Sequence, residues 1–174
     1  MDERGHEEKY TFARLSELSK RFASVLSGLG IGRGDVVLVI LPRIPAWHVT
    51  MLALLRLGAV AAPGATLLQP KDIAYRAKLS QARAVITDTD NWEKVEAVRN
   101  EATEIKHFLL VGGTQPGWRN FEKLLESGSP NFVAPPTRSQ DPALLYFTSG
   151  TTGGPQMVLH SHAYTLAHRL TGEY

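Results

Sequence analysis

Val36-Val-Leu-Val-Ile-Leu41 places six apolar residues in a row between Gly34-Asp35 and Pro42. A strand with one wet face alternates apolar and polar side chains. A run without alternation fits a strand covered on both faces, as in a parallel sheet. Parallel neighbours cannot be joined by a tight turn; they need a crossover of a dozen or more residues, usually a helix. The flanking sequence has that form. Upstream, Phe12, Leu15, Leu18, Phe22, Val25, Leu26 and Leu29 recur at spacings of three and four, one apolar stripe of a helix. Thr11 is its expected N-cap, and Gly28, Gly30 and Gly32 end it.

Downstream the alternation repeats. After Pro42 and Pro45, the pattern predicts a helix of about a dozen residues through Leu57, a strand over Ala59 to Pro63, a helix over Pro70 to Ser80 and a strand over Ala84 to Thr87. It continues with a helix over Asn91 to Thr103, a strand over His107 to Val111, a short helix over Trp118 to Glu126 and a strand over Ala143 to Phe147. Strand and helix at this spacing imply an α/β fold, a mostly parallel sheet flanked by helices with right-handed crossovers. The expected organisation is a polar tail over 1–9, an α/β subdomain over 10–126 and a Pro/Gly-rich linker or loop over 127–142. Residues 143–174 then hold a strand, a glycine-rich loop and the start of another helix, an incomplete domain.

Bulk chemistry narrows the partners. Nineteen basic against seventeen acidic residues leave a net charge of +2, with no basic cluster of the density a nucleic acid requires. With no cysteine there is no disulfide, thiolate metal site or cysteine nucleophile. The acid-rich start, Met1-Asp-Glu-Arg-Gly-His-Glu-Glu8, is expected to be neither a secretory signal nor a transit peptide. Val49 to Leu68 is apolar but carries Arg56 and is broken by Gly58, Pro63 and Gly64, so no membrane span is expected. The expectation is an intracellular protein, cytoplasmic or in the mitochondrial matrix, with nothing here to choose between them.

The informative segment follows the last strand. Thr148-Ser-Gly-Thr-Thr-Gly-Gly-Pro-Gln156 gathers four hydroxyls and three glycines in seven residues. Gly150, Gly153 and Gly154 let the backbone turn consecutive N–H groups toward one point, a concavity that binds anions. The hydroxyls of Thr148, Ser149, Thr151 and Thr152 add donors. On composition alone an ordinary flexible turn fits as well. A Walker A loop does not, because Pro155 and Gln156 stand where its second glycine and its lysine belong.

Tyr146-Phe-Thr-Ser-Gly-Thr-Thr-Gly-Gly-Pro-Gln-Met157 resembles the ATP motif of the adenylate-forming superfamily, which contains acyl- and aryl-CoA synthetases, luciferases and adenylation domains. Pro63-Gly-Ala-Thr-Leu-Leu-Gln-Pro-Lys-Asp-Ile73, with Tyr75-Arg76, is similar to the medium-chain acyl-CoA synthetases. Thr11-Phe12 with Leu15, Gly34-Asp35-Val36 and Leu57-Gly-Ala-Val60 fit that superfamily's first subdomain, part of its large N-terminal region.

The resemblance implies a two-step ligase in fatty acid metabolism. A carboxylic acid attacks ATP to give acyl-AMP and pyrophosphate, and CoA then displaces AMP, with Mg²⁺ as cofactor. It assigns the ATP phosphates to Thr148, Ser149, Gly150, Thr151, Thr152, Gly153, Gly154 and position 156. There the family carries lysine; Gln156 keeps donors but loses the charge. The resemblance also places the adenine, magnesium and acyl groups, and the catalytic residues, beyond Tyr174. The expectation is therefore a truncated, inactive chain with exposed apolar faces. Another adenylate-forming ligase (an aryl-CoA ligase or adenylation domain) and a non-catalytic nucleotide-binding fragment or pseudoenzyme are the alternatives.

His160-Ser161-His162 invites a triad or a metal site, but neither an orienting carboxylate nor a third ligand is nearby. A capped strand-to-helix junction is the expectation, and no metal ligand is assigned. Trp47 and His48 read as packing, Tyr146 and Phe147 as packing that holds the loop rigid, and the charges from Glu93 to Glu104 as a solvated helix face.

Overall fold

The computed structural model describes residues 9–148 and 154–171. Helix α1, Phe12–Gly28, begins where Thr11 Oγ1 accepts the Arg14 N–H, and it buries Leu18, Ser19, Phe22, Ala23 and Leu26. Strand β1, Val36–Ile40, is the apolar run, with Val37 through Ile40 all buried. Helix α2, Pro45–Leu57, starts on a proline, whose missing N–H costs nothing there. It ends at Gly58 with φ of 73°, the left-handed conformation that favours glycine. Strand β2, Val60–Pro63, helix α3, Pro70–Ser80, and strand β3, Ala84–Asp88, follow as expected. Next come helix α4, Trp92–Glu96, and strand β4, His107–Val111. The chain continues with β5, Arg119–Asn120, α5, Phe121–Ser127, β6, Pro142–Thr148, β7, Gln156–Ser161, and α6, His162–Thr171.

These strands form one sheet in the order β5-β4-β3-β1-β2-β6-β7, parallel throughout except for the antiparallel pair of β6 with β7. The missing alternation of β1 now has its cause. Val37 and Val39 face a core built with α1, α2 and Phe121 of α5, while Leu38 and Ile40 face a second core under α3 and the α4 segment. Phe22, fully buried, meets the Phe121 ring at 4.6 Å between centroids. Burying one such side chain contributes about 1.5–3 kcal/mol.

Three segments depart from expectation. The helix read over 91–103 stops at Glu96 and continues as turns. Val98, Arg99 and Glu101 N–H groups bond the carbonyls three residues back, where an α-helix would bond four back. Val95, Val98, Ala102 and Ile105 stay buried on that tighter path. Its charges are not merely solvated, because the Arg99 guanidinium stacks 3.7 Å from the Phe108 ring centroid. In addition, Glu96 accepts the Trp118 indole N–H at 2.7 Å. The helix read from Trp118 begins later, at Phe121, because Arg119 and Asn120 pair with Leu109 and Leu110 of β4. Last, residues 156–161 form a full strand, β7.

Two polar contacts lock the layers. Arg56 of α2 donates to Ser19 Oγ at 2.8 Å and Ser16 Oγ at 2.9 Å across the α1–α2 seam. Arg33, at the foot of β1, pairs with Asp141 at 2.6 Å where β6 begins.

Candidate functional site

In parallel α/β sheets, ligands bind outside the carboxyl ends of the strands, where connections part to opposite faces. Here α2 leaves β1 over one face and α3 leaves β2 over the other. β6 pairs with β2 through Ala61 and Leu144, so its last residue, Thr148, reaches the same sheet edge.

β6 and β7 run antiparallel from Leu144 opposite His160 to Thr148 opposite Gln156. Thr148 and Gln156 are therefore a facing pair, both exposed. Ser149, Gly150, Thr151, Thr152 and Gly153 lie outside the described residues. Gly154 and Pro155 lead into β7 under Tyr75 of α3. The Tyr75 hydroxyl donates to the Pro155 carbonyl at 3.1 Å, and a Cβ on Gly154 would stand 3.1 Å from that hydroxyl. Helix α3 holds Tyr75 there because its first turn is doubly tied. Gln69 and Asp72 form a capping box, the Asp72 carboxylate accepting the Gln69 N–H at 3.1 Å. Of the residues singled out from sequence, Thr148, Gly154 and Gln156 are thus brought to one end of the hairpin. Sequence reading gave Tyr75 no role, because its contact spans 80 positions of chain.

The base of the hairpin is pinned separately. Asp141 accepts the Arg138 N–H at 2.7 Å and the Arg33 guanidinium. That backbone donor, helped by Arg33, holds its carboxyl below the ordinary aspartate value. The His162 N–H donates to the Asp141 carbonyl at 2.9 Å, so β7 passes into α6 at a bonded junction. The His160 ring meets the Tyr164 ring at 4.1 Å and the Tyr146 ring edge-on at 5.6 Å. Burial, and then Tyr164, push the Tyr146 hydroxyl above its usual range, so it stays protonated at neutral pH. Among the described residues no group of three possible metal ligands assembles. No helix there is long and apolar enough to cross a membrane.

The fold is a mostly parallel α/β sheet whose last two strands, β6 and β7, flank a hydroxyl- and glycine-rich sequence at its carboxyl edge. The sequence profile of the AMP-binding enzymes matches residues 2–173, and this chain belongs to that family. It is 43% identical over 164 residues, 93% of its length, to the mitochondrial acyl-coenzyme A synthetase ACSM2 of Rattus norvegicus. It is 40% identical over 161 residues, 91% of its length, to mitochondrial ACSM5 of Homo sapiens. The matches span 29% and 28% of those two proteins. The anthranilate CoA ligase AuaEII, solved with anthranoyl-AMP, superposes with a TM-score of 0.90 at 27% identity. That superposition covers 94% of this chain and 32% of the ligase. The Brucella canis acyl-CoA synthetase gives 0.85 at 28% identity, covering 94% and 30%.

Proposed function

We propose that this chain is the ATP-phosphate-holding part of an acyl-CoA synthetase. The enzyme would activate a medium-chain fatty acid or related carboxylic acid as acyl-AMP and pass the acyl group to CoA. Thr148, Ser149, Gly150, Thr151, Thr152, Gly153, Gly154 and Gln156 hold the terminal phosphates as pyrophosphate leaves. The observation that supports this best is the placement of Thr148, Gly154 and Gln156 at the carboxyl edge of the sheet, in a chain 40–43% identical to acyl-CoA synthetases.

Rate enhancement at such a loop comes from donors fixed beforehand around charge that develops on the leaving group. Mg²⁺ would share that charge. The described residues do not gather the carboxylates that would hold the ion, so no step here runs through it. The 174-residue chain by itself is proposed to bind ATP without completing the reaction, because its match spans under a third of its relatives. The mitochondrial relatives favour the mitochondrial matrix as its compartment.

Gln156 supplies the test. An ammonium about 4 Å from a phosphate oxygen gains roughly 4 kcal/mol at an effective dielectric of 20. Solvent and lost side-chain freedom leave roughly 1–3 kcal/mol, as for other charged hydrogen bonds. Gln156→Lys should therefore tighten ATP binding about 5- to 150-fold and leave AMP nearly unchanged. Calorimetric titration of both nucleotides into both chains reads this directly. A chain that binds no ATP, or a shift shared equally by ATP and AMP, overturns the proposed placement of the phosphates.

A further inference from the structure

The outer half of the β6–β7 hairpin has little of the sheet to lean on. β6 pairs with β2 at Leu144, opposite Ala61, and Thr148 lies beyond that point. β7 pairs with β6 on one edge, and among the described residues no strand pairs with its other edge. The ladder between β6 and β7 fixes the two strands to each other but not the direction in which the pair points.

Helix α3 meets the hairpin there with two consecutive residues. The Arg76 guanidinium lies over the Phe147 ring of β6, 5.1 Å from the centroid. The Tyr75 hydroxyl donates to the Pro155 carbonyl at 3.1 Å. That carbonyl belongs to the peptide unit joining Pro155 to Gln156. Such a unit is planar, so holding its oxygen sets the direction of the Gln156 N–H and the place of the Gln156 Cα. Tyr75 is itself held from behind, because Ile73 and Ala77 of the same helix are fully buried. The fit leaves no slack. A Cβ on Gly154 would stand 3.1 Å from the Tyr75 oxygen and 3.3 Å from the ring carbon that bears it, closer than such carbons ordinarily come. Glycine is what lets the ring approach.

We infer that Tyr75 is a positioning residue: its hydroxyl sets the 155–156 peptide, and through it the direction in which Gln156 is presented opposite Thr148. This rests on the proposed function, since the ligand that Gln156 would then meet is ATP. Apparent affinity falls with the fraction of molecules in which the strand is correctly turned. Loosening this peptide therefore weakens binding without removing any group that touches the ligand.

The test uses Tyr75→Phe, which removes the hydroxyl and keeps the ring, and Gly154→Ala, which keeps the hydroxyl and displaces the ring. Amide hydrogen exchange, resolved by residue, and calorimetric titration of ATP are read on both and on the unsubstituted chain. In each variant the β7 amides bonded to β6 should exchange several-fold faster, while those of Val37 to Ile40 keep their rates. Gly154→Ala should add nothing further to exchange in a Tyr75→Ala chain, where its methyl meets no ring. ATP should bind about 2- to 12-fold more weakly to Tyr75→Phe, as for the loss of one neutral hydrogen bond. Most of that loss should vanish in a Gln156→Ala chain, because Tyr75 acts through Gln156. Unchanged exchange along β7 in Tyr75→Phe, or additive effects of Gly154→Ala and Tyr75→Ala, overturns the inference. Faster exchange with ATP affinity intact, or the full loss persisting in Gln156→Ala, makes Tyr75 a brace only; that also overturns the inference while the proposed function stands. An unsubstituted chain that binds no ATP overturns the proposed function, and the exchange rates still decide whether Tyr75 sets the 155–156 peptide.

Discussion

Strands β1 and β7 belong to one sheet and each carries an apolar run, Val36 to Ile40 in one and Met157 to Leu159 in the other, yet their surroundings are opposite. In β1, Val37, Leu38, Val39 and Ile40 are all buried. In β7, Met157, Val158 and Leu159 are all exposed, Leu159 at 57%, and Leu166 of α6 beside it at 63%. The first strand has a helical layer on each face and a parallel neighbour on each edge. The second has β6 on one edge and nothing paired with the other among the described residues. One region therefore draws its stability from packing, and the other from a backbone ladder, Tyr75 and the Asp141 junction. The apolar composition of β7 is spent on a surface, which in soluble proteins marks a place where something else docks.

The largest expected effect tests the packed side. Phe22→Ala should cost about 3–5 kcal/mol in urea unfolding, because removing the fully buried ring packed against Phe121 leaves a cavity that its neighbours cannot fill. Leu159→Ala should change stability by less than about 0.5 kcal/mol. Comparable losses at the two positions would erase the distinction between the regions.

The junction comes next. Asp141 has a depressed carboxyl, so the native chain binds fewer protons there than the unfolded one. Its contribution is present above the unfolded aspartate value, about 4, and is lost as pH falls through the lower folded value. Thermal melts should therefore show the unsubstituted chain losing its advantage over Asp141→Asn below about pH 4, with parallel behaviour near neutrality. Identical acid limbs in both chains would mean that Asp141 does not tie hairpin to body.

The smallest effect on stability, and the most direct probe of the exposed edge, is Leu159→Lys. The unsubstituted chain should associate as concentration rises and should bind a hydrophobic dye; a charge on this edge strand should suppress both while leaving the unfolding midpoint nearly unchanged. Sedimentation velocity over a concentration series reads the first. A concentration-independent monomer without the substitution would place the association surface elsewhere, or nowhere.

Much of this architecture was legible in the sequence. The lack of alternation in Val36–Leu41 gave a strand buried on two faces, and the apolar stripe after Thr11 gave α1 almost to the residue. What escaped was decided across the fold. The path after Glu96 tightens where Arg99 stacks on Phe108, and Arg119–Asn120 become a strand only because β4 offers them a ladder. Each partner lies nine or ten residues away, beyond the three- and four-residue spacings that helix periodicity records. The site divides in the same way. Glycines and hydroxyls between Thr148 and Gly154 announce themselves by composition, whereas Tyr75 meets the hairpin only when α3 is packed beside it.

The order in which the strands meet has a consequence during synthesis. β1 to β4 pair with neighbours made shortly before or after them, but β2 must wait for β6, whose Leu144 lies opposite Ala61. At the usual 5–20 residues per second, a ribosome needs roughly 4 to 16 seconds to make those intervening ~80 residues. For that interval the nascent body leaves the β2 edge of its sheet open, a template for any passing strand. Its design against mispairing is visible: β2 is four residues long and ends in Pro63, which has no N–H to donate. Shortness and a proline thus guard the seat that the hairpin will occupy.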